Sequence, residues 1–425
     1  FFILFSLIPA SIVFGPAISF INILLIDFSF IFLLIYTKEY KFLSNKTVKL
    51  ILIFCLYLVF NSILSENLSI GALRNFGFIR FAILFCAFNY FFCHKNFFNK
   101  ILIIWSLTLF IITIDTYIES FTGKNIFGYE GEYARRIVSF FKNEPIVGGY
   151  INAFYLIIVG YFFSLKAKLL EKYKYFILVG SFFFLTAILL TGERSNTIKA
   201  ILGFLIFYSI NDHFKIKEKF ILVILLFTLI SLSINSSDFL KYRYSNLFFI
   251  KLFVTDQSKI EKTDQSKIEK TDQSKIEKEM NSDKKDFGSL YLDLYRSGFS
   301  VFKNYPFFGA GNKNYRLETC LKSEKQSYVC NTHPHQTYFE LLAEHGLVGT
   351  VIILFILFNL IFGKLKTILK SKNYIQIGCL VFLLCSLMPY LPSGAFFSDR
   401  SLTIFWLNLS LMYSISKKTN IFSKI

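Results

Sequence analysis

The chain has 425 residues, of which 54% are hydrophobic and 19% aromatic, and it carries a formal net charge of +18. This apolar content is higher than that of soluble globular domains, and many windows of about 18–22 residues are almost free of charge, which is the length that a helix needs to cross a bilayer. The composition therefore argues against an ordinary soluble enzyme and predicts an all-α polytopic membrane protein.

The hydropathy pattern predicts about twelve transmembrane helices. The first residue is Phe1, and we interpret the short apolar run Phe1–Val13 as a truncated first span and not as a signal peptide. The pattern divides the chain into residues 1–235 with nine spans and short outer loops, a large outer loop at 236–345, and residues 346–425 with three spans. The predicted spans are 1–15, 17–36, 48–65, 72–93, 100–119, 147–165, 174–191, 197–211, 219–235, 346–363, 374–391 and 401–416.

Clusters of lysine mark every second loop and the C-terminus, and such loops stay in the cytoplasm. The loops 120–146, 191–196, 236–345 and 392–400 are therefore predicted to face outward. Part of the positive net charge therefore comes from lysines that orient the chain in the membrane, and it does not indicate a nucleic-acid partner. The lysines that set this orientation are Lys38, Lys41, Lys46, Lys49, Lys95, Lys100, Lys166, Lys168, Lys172, Lys174, Lys215, Lys217, Lys219, Lys364, Lys366, Lys370, Lys372, Lys417 and Lys418.

The large outer loop 236–345 contains a low-complexity repeat and two cysteines. TDQSKIEK occurs three times in tandem at 255–278, and one apolar residue in eight cannot form a core, so we expect a solvated helix or a spacer. Cys320 and Cys330 lie in a compartment that permits disulfides, and we predict that they are bridged, close to His333 and His335. The alternative is two free thiols.

The arginines are distributed differently from the lysines, because none lies in a predicted cytoplasmic loop. A guanidinium holds phosphate through two parallel hydrogen bonds, whereas an ammonium acts as a point charge. The distribution indicates an outward-facing site for an anionic, phosphorylated substrate. The alternative is structural ion pairs with Glu130, Glu132, Glu193 or Asp399. The nine arginines are Arg74, Arg80, Arg135, Arg136, Arg194, Arg243, Arg296, Arg316 and Arg400.

Two short motifs fall in the outer loops. TGERSNTIKA (191–200) places Arg194 in a very short loop beside the membrane, where it suits a phosphate at the head of a lipid. YPFFGAGNKNYR (305–316) carries Gly309 and Gly311, which permit a sharp turn or a close approach of the backbone to a ligand.

The segment HPHQTYFELLAEHGLVG (333–349) carries three of the five histidines. Pro334 favours a first helical turn, so a helix is predicted to begin there, to run to about His345, and to end or bend at Gly346. His335 would lie in that first turn, where the helix dipole keeps an imidazole neutral, as a general base requires.

Two other interpretations of these histidines remain open. They are interfacial packing residues, which residue type alone allows, or they form a metal site from His333, His335, His345 and Glu344. The spacing matches no established zinc pattern, which makes a metal the weaker alternative.

The sequence resembles the O-antigen ligase and polymerase superfamily. His335-Gln336, nine residues, Gly346, three residues and Thr350 are similar to its signature H-[NSQ]-x9-G-x3-[GTY], although Gln336 is the less usual choice at its position. Four further stretches resemble outer-loop elements of the family, whereas the repeat is an idiosyncratic insertion. These stretches are NIFGYEGEYARRIVSFFKNEPIVGGYIN (125–152), TGERSNTIKA (191–200), YPFFGAGNKNYR (305–316) and LPSGAFFSDRSLTIFW (391–406).

The resemblance implies a glycosyltransferase of the bacterial inner membrane whose active site faces the periplasm and which needs no metal or other cofactor. Its partners would be membrane lipids, a glycan donor linked to undecaprenyl pyrophosphate, and an acceptor. For a ligase the acceptor is a sugar hydroxyl of the lipid A core, and for a polymerase it is another lipid-linked repeat unit.

Carried onto this chain, the resemblance implies that His335 is the general base and that Arg194, with Arg135 or Arg136, holds the pyrophosphate. Arg316 and Arg400 are further candidates for substrate binding, and Gln336 and Gly346 belong to the signature. A polymerase is the second interpretation. A polysaccharide or lipid transporter is a third, from another class, but it would not need the histidine motif, and inverted internal repeats are not evident in the sequence.

Overall fold

A computed structural model describes residues 1–94, 98–131, 136–142, 144–165, 167–246, 287–322 and 327–423. Within these ranges the regular structure is helical and contains no β-strand, so the predicted all-α class is confirmed. The repeats at 255–278 and Arg135 lie outside the described residues. The division at 235 and 345 stays a prediction.

The chain up to residue 246 forms twelve α-helices within the described ranges, and the last of them leads into a π-helical turn, Lys241–Asn246. The predicted first span is divided between two short helices, because Leu7 separates them. The helices are α1 (Phe2–Ser6), α2 (Ile8–Phe14), α3 (Pro16–Thr37), α4 (Lys46–Ile63), α5 (Leu68–Gly77), α6 (Ile79–His94), α7 (Phe98–Thr122), α8 (Val147–Phe163), α9 (Ala167–Leu190), α10 (Arg194–Ile210), α11 (Ile216–Asn235) and α12 (Asp238–Leu240).

The chain from residue 287 onward forms the remaining described helices. They are α13 (Phe287–Asn304), α14 (Tyr315–Leu321), α15 (Thr337–Phe362), α16 (Leu365–Ser371), α17 (Tyr374–Ser386) and α18 (Asp399–Ser414). Side chains cap several of these helices at their N-termini, as when Asn373 accepts a hydrogen bond from the Gln376 N–H at 3.2 Å and Ser398 accepts one from the Ser401 N–H at 3.3 Å.

Seven helical stretches among the described residues are long and apolar enough to cross a membrane, which agrees with a multi-pass membrane protein. Two shorter apolar helices, Val147–Phe163 and Tyr374–Ser386, coincide with further predicted spans. The figure of twelve crossings stays a prediction. The seven stretches are Pro16–Thr37, Lys46–Ile63, Leu68–Cys93, Phe98–Thr122, Leu170–Leu190, Ile216–Asn235 and Thr337–Ser371.

The core of the bundle is built around α8 and α17, which are buried along most of their length. Glycines let these two helices approach closely: a Cβ on Gly160 would lie 2.4 Å from the Tyr374 carbonyl oxygen, and one on Gly378 would lie 2.3 Å from the Leu156 carbonyl oxygen. Small residues at such crossings are typical of helices that pack inside membranes.

The loops meet at two opposite sets of contacts. The four predicted outer loops join one another through Arg400 and Glu144 (2.5 Å), Arg243 and the Gly192 carbonyl (3.0 Å), and the Ser393 N–H and the His335 carbonyl (2.8 Å). We call this set the histidine end. The predicted cytoplasmic loops join through ion pairs such as Lys174–Glu218 (3.0 Å) and Lys372–Asp212, and we call that set the lysine end.

Candidate functional site

His335 does not lie in the first turn of a helix, so that prediction is wrong. The helix α15 begins at Thr337, and Gln336 is its N-cap: its side-chain oxygen accepts a hydrogen bond from the Phe339 N–H at 2.9 Å. The helix starts after Gln336 and not at Pro334 because the Gln336 side chain accepts a hydrogen bond from an otherwise unpaired N–H of the first turn. His335 therefore precedes the helix and has a left-handed backbone, with φ of 56°.

The backbone of His335 is held by the last outer loop. A left-handed conformation costs energy for a residue with a Cβ and persists where its surroundings impose it. The Ser393 N–H donates to the His335 carbonyl at 2.8 Å, and the Ser393 hydroxyl contacts the Thr337 hydroxyl at 3.0 Å. These contacts hold the backbone around His335 in place.

The imidazole of His335 is half-buried beside two other rings. Its centroid lies 4.1 Å from that of His333 and 6.0 Å from that of Tyr291. Burial lowers the pKa of His335, and burial together with the nearby His335 lowers the pKa of His333 to about 4. The direction of this shift favours the neutral imidazole, and burial rather than a helix dipole is its cause.

The third histidine of the segment is separate from this pair. His345 is fully buried within α15, where its Nδ1 lies 3.3 Å from the Tyr57 hydroxyl and its ring lies 5.0 Å from that of Phe397. The residues that the structure describes contain no group of three or more His, Cys, Asp or Glu side chains placed to hold a metal ion. The four-residue metal alternative is therefore not formed, and His345 packs in the interior.

Arg194 is the first residue of α10 and follows a turn that is anchored to α8. The Glu193 carboxylate accepts hydrogen bonds from the Gly148 N–H (2.6 Å), the Gly149 N–H (3.1 Å) and the Asn196 side chain (2.6 Å). Burial raises the pKa of Glu193 in spite of these bonds. Arg194 itself is half-buried, and burial lowers its pKa, with Tyr291 and Arg136 as the next largest electrostatic influences.

Arg243 is a site residue that sequence reasoning did not single out. It lies in the π-helical turn Lys241–Asn246, and its guanidinium donates to the Gly192 carbonyl from Nη2 (3.0 Å) and Nε (3.3 Å). The Tyr244 hydroxyl donates to the Leu189 carbonyl at 3.1 Å, so the turn holds the segment before Arg194 at two points. No local signal in KYRYSN marks this arginine, because its role follows from the contact with Gly192.

Arg136 completes a group of three guanidiniums with Arg194 and Arg243. Burial, followed by the positive charges of Arg136 and Arg194, lowers the pKa of Arg243 to about 10. The Nε of Arg136 is buried and has no hydrogen-bond partner in the described part of the chain. We call Arg136, Arg194 and Arg243 the arginine cluster. Three neighbouring guanidiniums, one of them with a buried Nε that makes no hydrogen bond in the described ranges, fit an anion with several oxygen atoms, such as a phosphate or pyrophosphate.

The loop that carries Arg136 is fixed by two acids near the end of α7. The Glu119 carboxylate accepts from the Val138 N–H (2.9 Å) and the Ser139 N–H (2.6 Å), and Asp115 accepts from the Ile126 N–H at 2.8 Å. Because every one of these bonds joins a side chain to the backbone of the loop, the position of Arg136 is defined independently of a ligand.

Tyr291 connects the histidine to the arginine cluster. Its ring meets that of His335 edge-on, at an interplanar angle of 81°, and its hydroxyl interacts electrostatically with Arg194 and Arg243. The imidazole of His335 and the arginine cluster therefore border one region of the histidine end.

Two cavities adjoin this region. The smaller one, of about 290 Å³, is lined by polar side chains that include Glu193, Lys199, Thr337, Ser393 and Arg400. The larger one, of about 1100 Å³, is an apolar groove between α2, α7 and the loop before α8, and Arg400 lies at its edge as well. Arg400 is ion-paired with Glu144 at 2.5 Å, so it stands between a polar and an apolar space.

The other predicted site residues have different environments. Arg316 is exposed on α14, and no contact in the described ranges brings it to His335 or to the arginine cluster. Gly346 breaks α15 with φ of 62°, and a Cβ there would lie 2.4 Å from the backbone of Phe307, so it is required for packing. The structure joins Cys320 to Cys330 in a disulfide, the pairing that the sequence predicts.

Comparison with known proteins places these residues in a family. No curated protein matches the chain significantly. Residues 179–354 match the family model described as O-antigen ligase, and that range contains Arg194, Arg243 and His335. The chain therefore carries an O-antigen ligase domain at residues 179–354, and this match supports the resemblance to the O-antigen ligase superfamily.

Proposed function

We propose that the protein transfers a glycan from undecaprenyl pyrophosphate to a sugar hydroxyl of the lipid A core. The family supports a glycosyltransferase-like ligase or polymerase. The observation that carries the proposal is the arrangement around Tyr291. Its ring packs against that of His335, whose pKa is lowered by burial, and it interacts electrostatically with Arg194 of the arginine cluster. A transferase with a lipid-linked donor needs such a pair, a base for the acceptor and cations for the leaving group.

In the proposed reaction His335 accepts the proton of the acceptor hydroxyl. The hydroxyl oxygen forms a bond to the anomeric carbon, while the bond from that carbon to the pyrophosphate oxygen breaks. The electron pair of the broken bond stays on undecaprenyl pyrophosphate, and the proton stays on the imidazole. One displacement inverts the configuration at the anomeric carbon. A half-buried imidazole kept neutral by burial is able to act in this way at physiological pH.

The arginine cluster would hold the pyrophosphate and stabilise the charge that develops on it. Arg136, Arg194 and Arg243 are supplied by three separate segments. Hydrogen bonds hold the backbone close to Arg136 and Arg194, and the Arg243 guanidinium itself donates to Gly192. Pre-positioned cations are most effective where charge develops in a water-poor site. Three guanidiniums meet the charge requirement of a pyrophosphate without a metal ion. Arg135 stays a candidate from sequence alone.

The lysine pattern supports an orientation in which the histidine end faces the periplasm and the lysine end faces the cytoplasm. The apolar groove of about 1100 Å³ offers space for the lipid chain of the donor next to the loop that carries Arg136. We therefore place the reaction at the periplasmic surface of the inner membrane.

The polymerase is the alternative within the same chemistry, because only the acceptor differs. The signature at His335 favours the ligase. The test is lipopolysaccharide profiling in a host that lacks its own ligase, with wild type, His335→Ala and the control His213→Ala at matched membrane levels. His213 is a suitable control because it lies at the lysine end and stacks on Phe163.

We expect wild type and His213→Ala to restore long O-antigen on the lipid A core and His335→Ala to fail. If wild type fails in this host but restores chain length in a polymerase-deficient host, the polymerase is correct. If His335→Ala works as well as wild type, His335 is not the base. If wild type fails in both hosts, the transferase proposal is wrong and a transporter must be considered.

A further inference from the structure

A second cationic cavity lies at the histidine end and takes no part in the proposed chemistry. Its volume is about 410 Å³, and its lining includes Ser69, Arg74, Arg80, Lys313, Asp399 and Leu402. Three of these side chains are cationic and one is acidic. We call this space the Arg74 cavity. Arg74 and Arg80 belong to a stretch long and apolar enough to span a membrane, where charged residues are costly and usually serve a ligand or a partner.

Arg80 forms a fixed wall of the Arg74 cavity. Its Nη2 lies 2.5 Å from the Asp399 carboxylate, and its guanidinium carbon lies 4.8 Å from the ring centroid of Phe20 and 4.5 Å from that of Phe81. The side chain is 11% exposed, and its Nε is buried without a hydrogen-bond partner in the described ranges. Asp399 thus neutralises Arg80. The buried Glu340 and Glu344 interact electrostatically with Arg74 but do not line the cavity, and Glu344 also interacts with Lys313.

Lys313 is presented to the cavity by a rigid loop. Its backbone has φ of 66°, a conformation that costs energy for lysine. The hydrogen bonds of the preceding residue, Asn312, hold the loop in this conformation. Asn312 donates from its N–H to Asn61 (3.0 Å) and from its side chain to Asn75 (2.5 Å). A Cβ on Gly71 would lie 2.8 Å from the Asn312 carbonyl, so the loop is packed directly against α5.

Arg74 lies on α5 next to apolar side chains that are exposed. Leu73 is 83% exposed and Phe76 is 58% exposed, whereas Gly71 and Asn75 of the same helix are buried. An apolar surface beside a cationic cavity matches a ligand with a phosphate head and an apolar tail. A soluble anion would have no use for this apolar surface.

The Arg74 cavity and the polar cavity near His335 flank the same segment. Asp399 lines the first, and its neighbour Arg400 lines the second. The segment is held in place by Glu340, whose carboxylate accepts from the Phe396 N–H at 2.9 Å. A transferase that joins two lipids must hold both at once. In the proposed reaction the arginine cluster holds the donor pyrophosphate, which leaves the Arg74 cavity for the acceptor.

We infer that the Arg74 cavity binds a phosphate group of the acceptor glycolipid, so that the acceptor sugar hydroxyl reaches His335 from the side opposite the donor. The inference rests on the proposed function. Arg74 and Lys313 contact the phosphate, and Arg80 shapes the wall. Phosphate recognition by two cations is a charge-assisted interaction, and its loss weakens binding about tenfold or more.

The first test measures binding to the full-length protein in nanodiscs of neutral lipid. The probes are lipid A carrying the core oligosaccharide, the same glycolipid after phosphatase treatment, phosphatidylglycerol and inorganic phosphate. The test variant is Arg74→Gln/Lys313→Gln, because Arg80 is too closely packed to change. The control, Arg296→Gln/Lys303→Gln, removes the same two charges from α13, where Arg296 is 74% exposed and pairs with Asp293 of its own helix.

We expect the test variant to bind the phosphorylated glycolipid at least tenfold more weakly, the control to bind it within twofold of wild type, and both to bind the dephosphorylated glycolipid equally. An equal loss for the phosphorylated and dephosphorylated probes, or no loss at all, would overturn the inference. Phosphatidylglycerol or inorganic phosphate that competes as well as the glycolipid would also overturn it, since the cavity would then be a general anion site.

The second test is steady-state transfer with both lipids varied. We expect the test variant to raise the KM for the acceptor, with kcat and the KM for the donor unchanged. A fall in kcat alone would contradict the inference. If no transfer occurs with wild type while glycolipid binding depends on its phosphate and on Arg74, the proposed reaction fails and the phosphate site stands, so the two failures are distinguishable.

Discussion

Replacing Arg243 tests whether the arginine cluster is a preorganised anion site. The Arg243 guanidinium donates twice to the Gly192 carbonyl, at 3.0 and 3.3 Å, and is 6% exposed. Arg243→Gln removes its charge from the cluster and weakens the tie to the turn before Arg194. We expect kcat/KM for glycan transfer to fall with little change in the amount of folded protein in the membrane.

The size of the effect follows from two contributions. A hydrogen bond from a charged donor contributes about 1.5–3 kcal/mol to stability. The two Arg243 donors share one acceptor, the Gly192 carbonyl oxygen, so we count them as one hydrogen bond. Loss of a preorganised donor at a site of developing charge costs about 2.7–4 kcal/mol in the transition state. Because the glutamine retains part of the tie to Gly192, we expect the second contribution to dominate and kcat/KM to fall by about 10²–10³.

Two companion variants separate charge from geometry. Arg243→Lys keeps the charge but not the planar fork, so we expect a loss of about tenfold. Tyr244→Phe leaves the charge unchanged and removes the 3.1 Å bond to the Leu189 carbonyl, so we expect a loss of less than tenfold.

The assay is transfer from a synthetic lipid-linked donor to purified acceptor glycolipid, with enzyme concentration normalised by fluorescence size-exclusion chromatography. Activity of Arg243→Gln within threefold of wild type would refute the assignment of Arg243 to the anion site. A loss in Tyr244→Phe as large as that in Arg243→Gln would show that the turn geometry, not the charge, controls the rate.

Three further predictions concern the base, its helix cap and the core. Burial lowers the pKa of His335, so the protonated, inactive form accumulates only below pH 6.5, and the acid limb of kcat/KM in a pH–rate profile should lie below that value; a limb above it would exclude His335. Gln336→Ala should lower the free energy of unfolding by about 1 kcal/mol and kcat severalfold, because it removes the helix cap. Gln336→Ser can cap the helix and should restore both quantities. Failure of the serine variant would show that Gln336 contacts substrate. Gly378→Ala should lower the thermal unfolding midpoint in detergent, because a Cβ 2.3 Å from the Leu156 carbonyl costs about 1–3 kcal/mol; an unchanged midpoint would contradict close packing of α8 and α17.

The helices and the break at Gly346 could be predicted from sequence because they depend on local properties. Long apolar stretches form helices in a membrane, where the backbone must satisfy its own hydrogen bonds. Gly346 interrupts α15 as expected, with φ of 62°, because the contact with Phe307 excludes a side chain there. Arg194 could be predicted as a phosphate-binding candidate because its loop, 191–196, is so short that the side chain must stay close to the membrane surface.

The start of α15 and the role of Arg243 could not be predicted, because both depend on contacts distant in sequence. Pro334 is a sound local signal, but Ser393 holds His335 in a left-handed conformation, and the helix starts after Gln336. Arg243 contacts Gly192, which is 51 positions away. The neutral state of His335 depends on the rings that cover it, and burial of that kind is a property of the folded chain.

Two residues of α15, one through its carboxylate and one through its backbone carbonyl, hold the two loops that carry left-handed residues. Glu340 accepts from the Phe396 and Phe397 N–H groups, at 2.9 and 3.5 Å, and so fixes the loop that contacts His335. The Glu344 carbonyl accepts from the Gly311 N–H at 3.0 Å and from Asn61 at 3.2 Å, and so fixes the loop that presents Lys313.

Glu340 and Glu344 are one helical turn apart on the same helix, and both are buried. The loop that contacts His335 and the loop that carries Lys313 are therefore both joined to a single helix. A helix that places both sites at once sets the distance between the acceptor hydroxyl and the anomeric carbon, and that distance governs the rate of a two-lipid transfer.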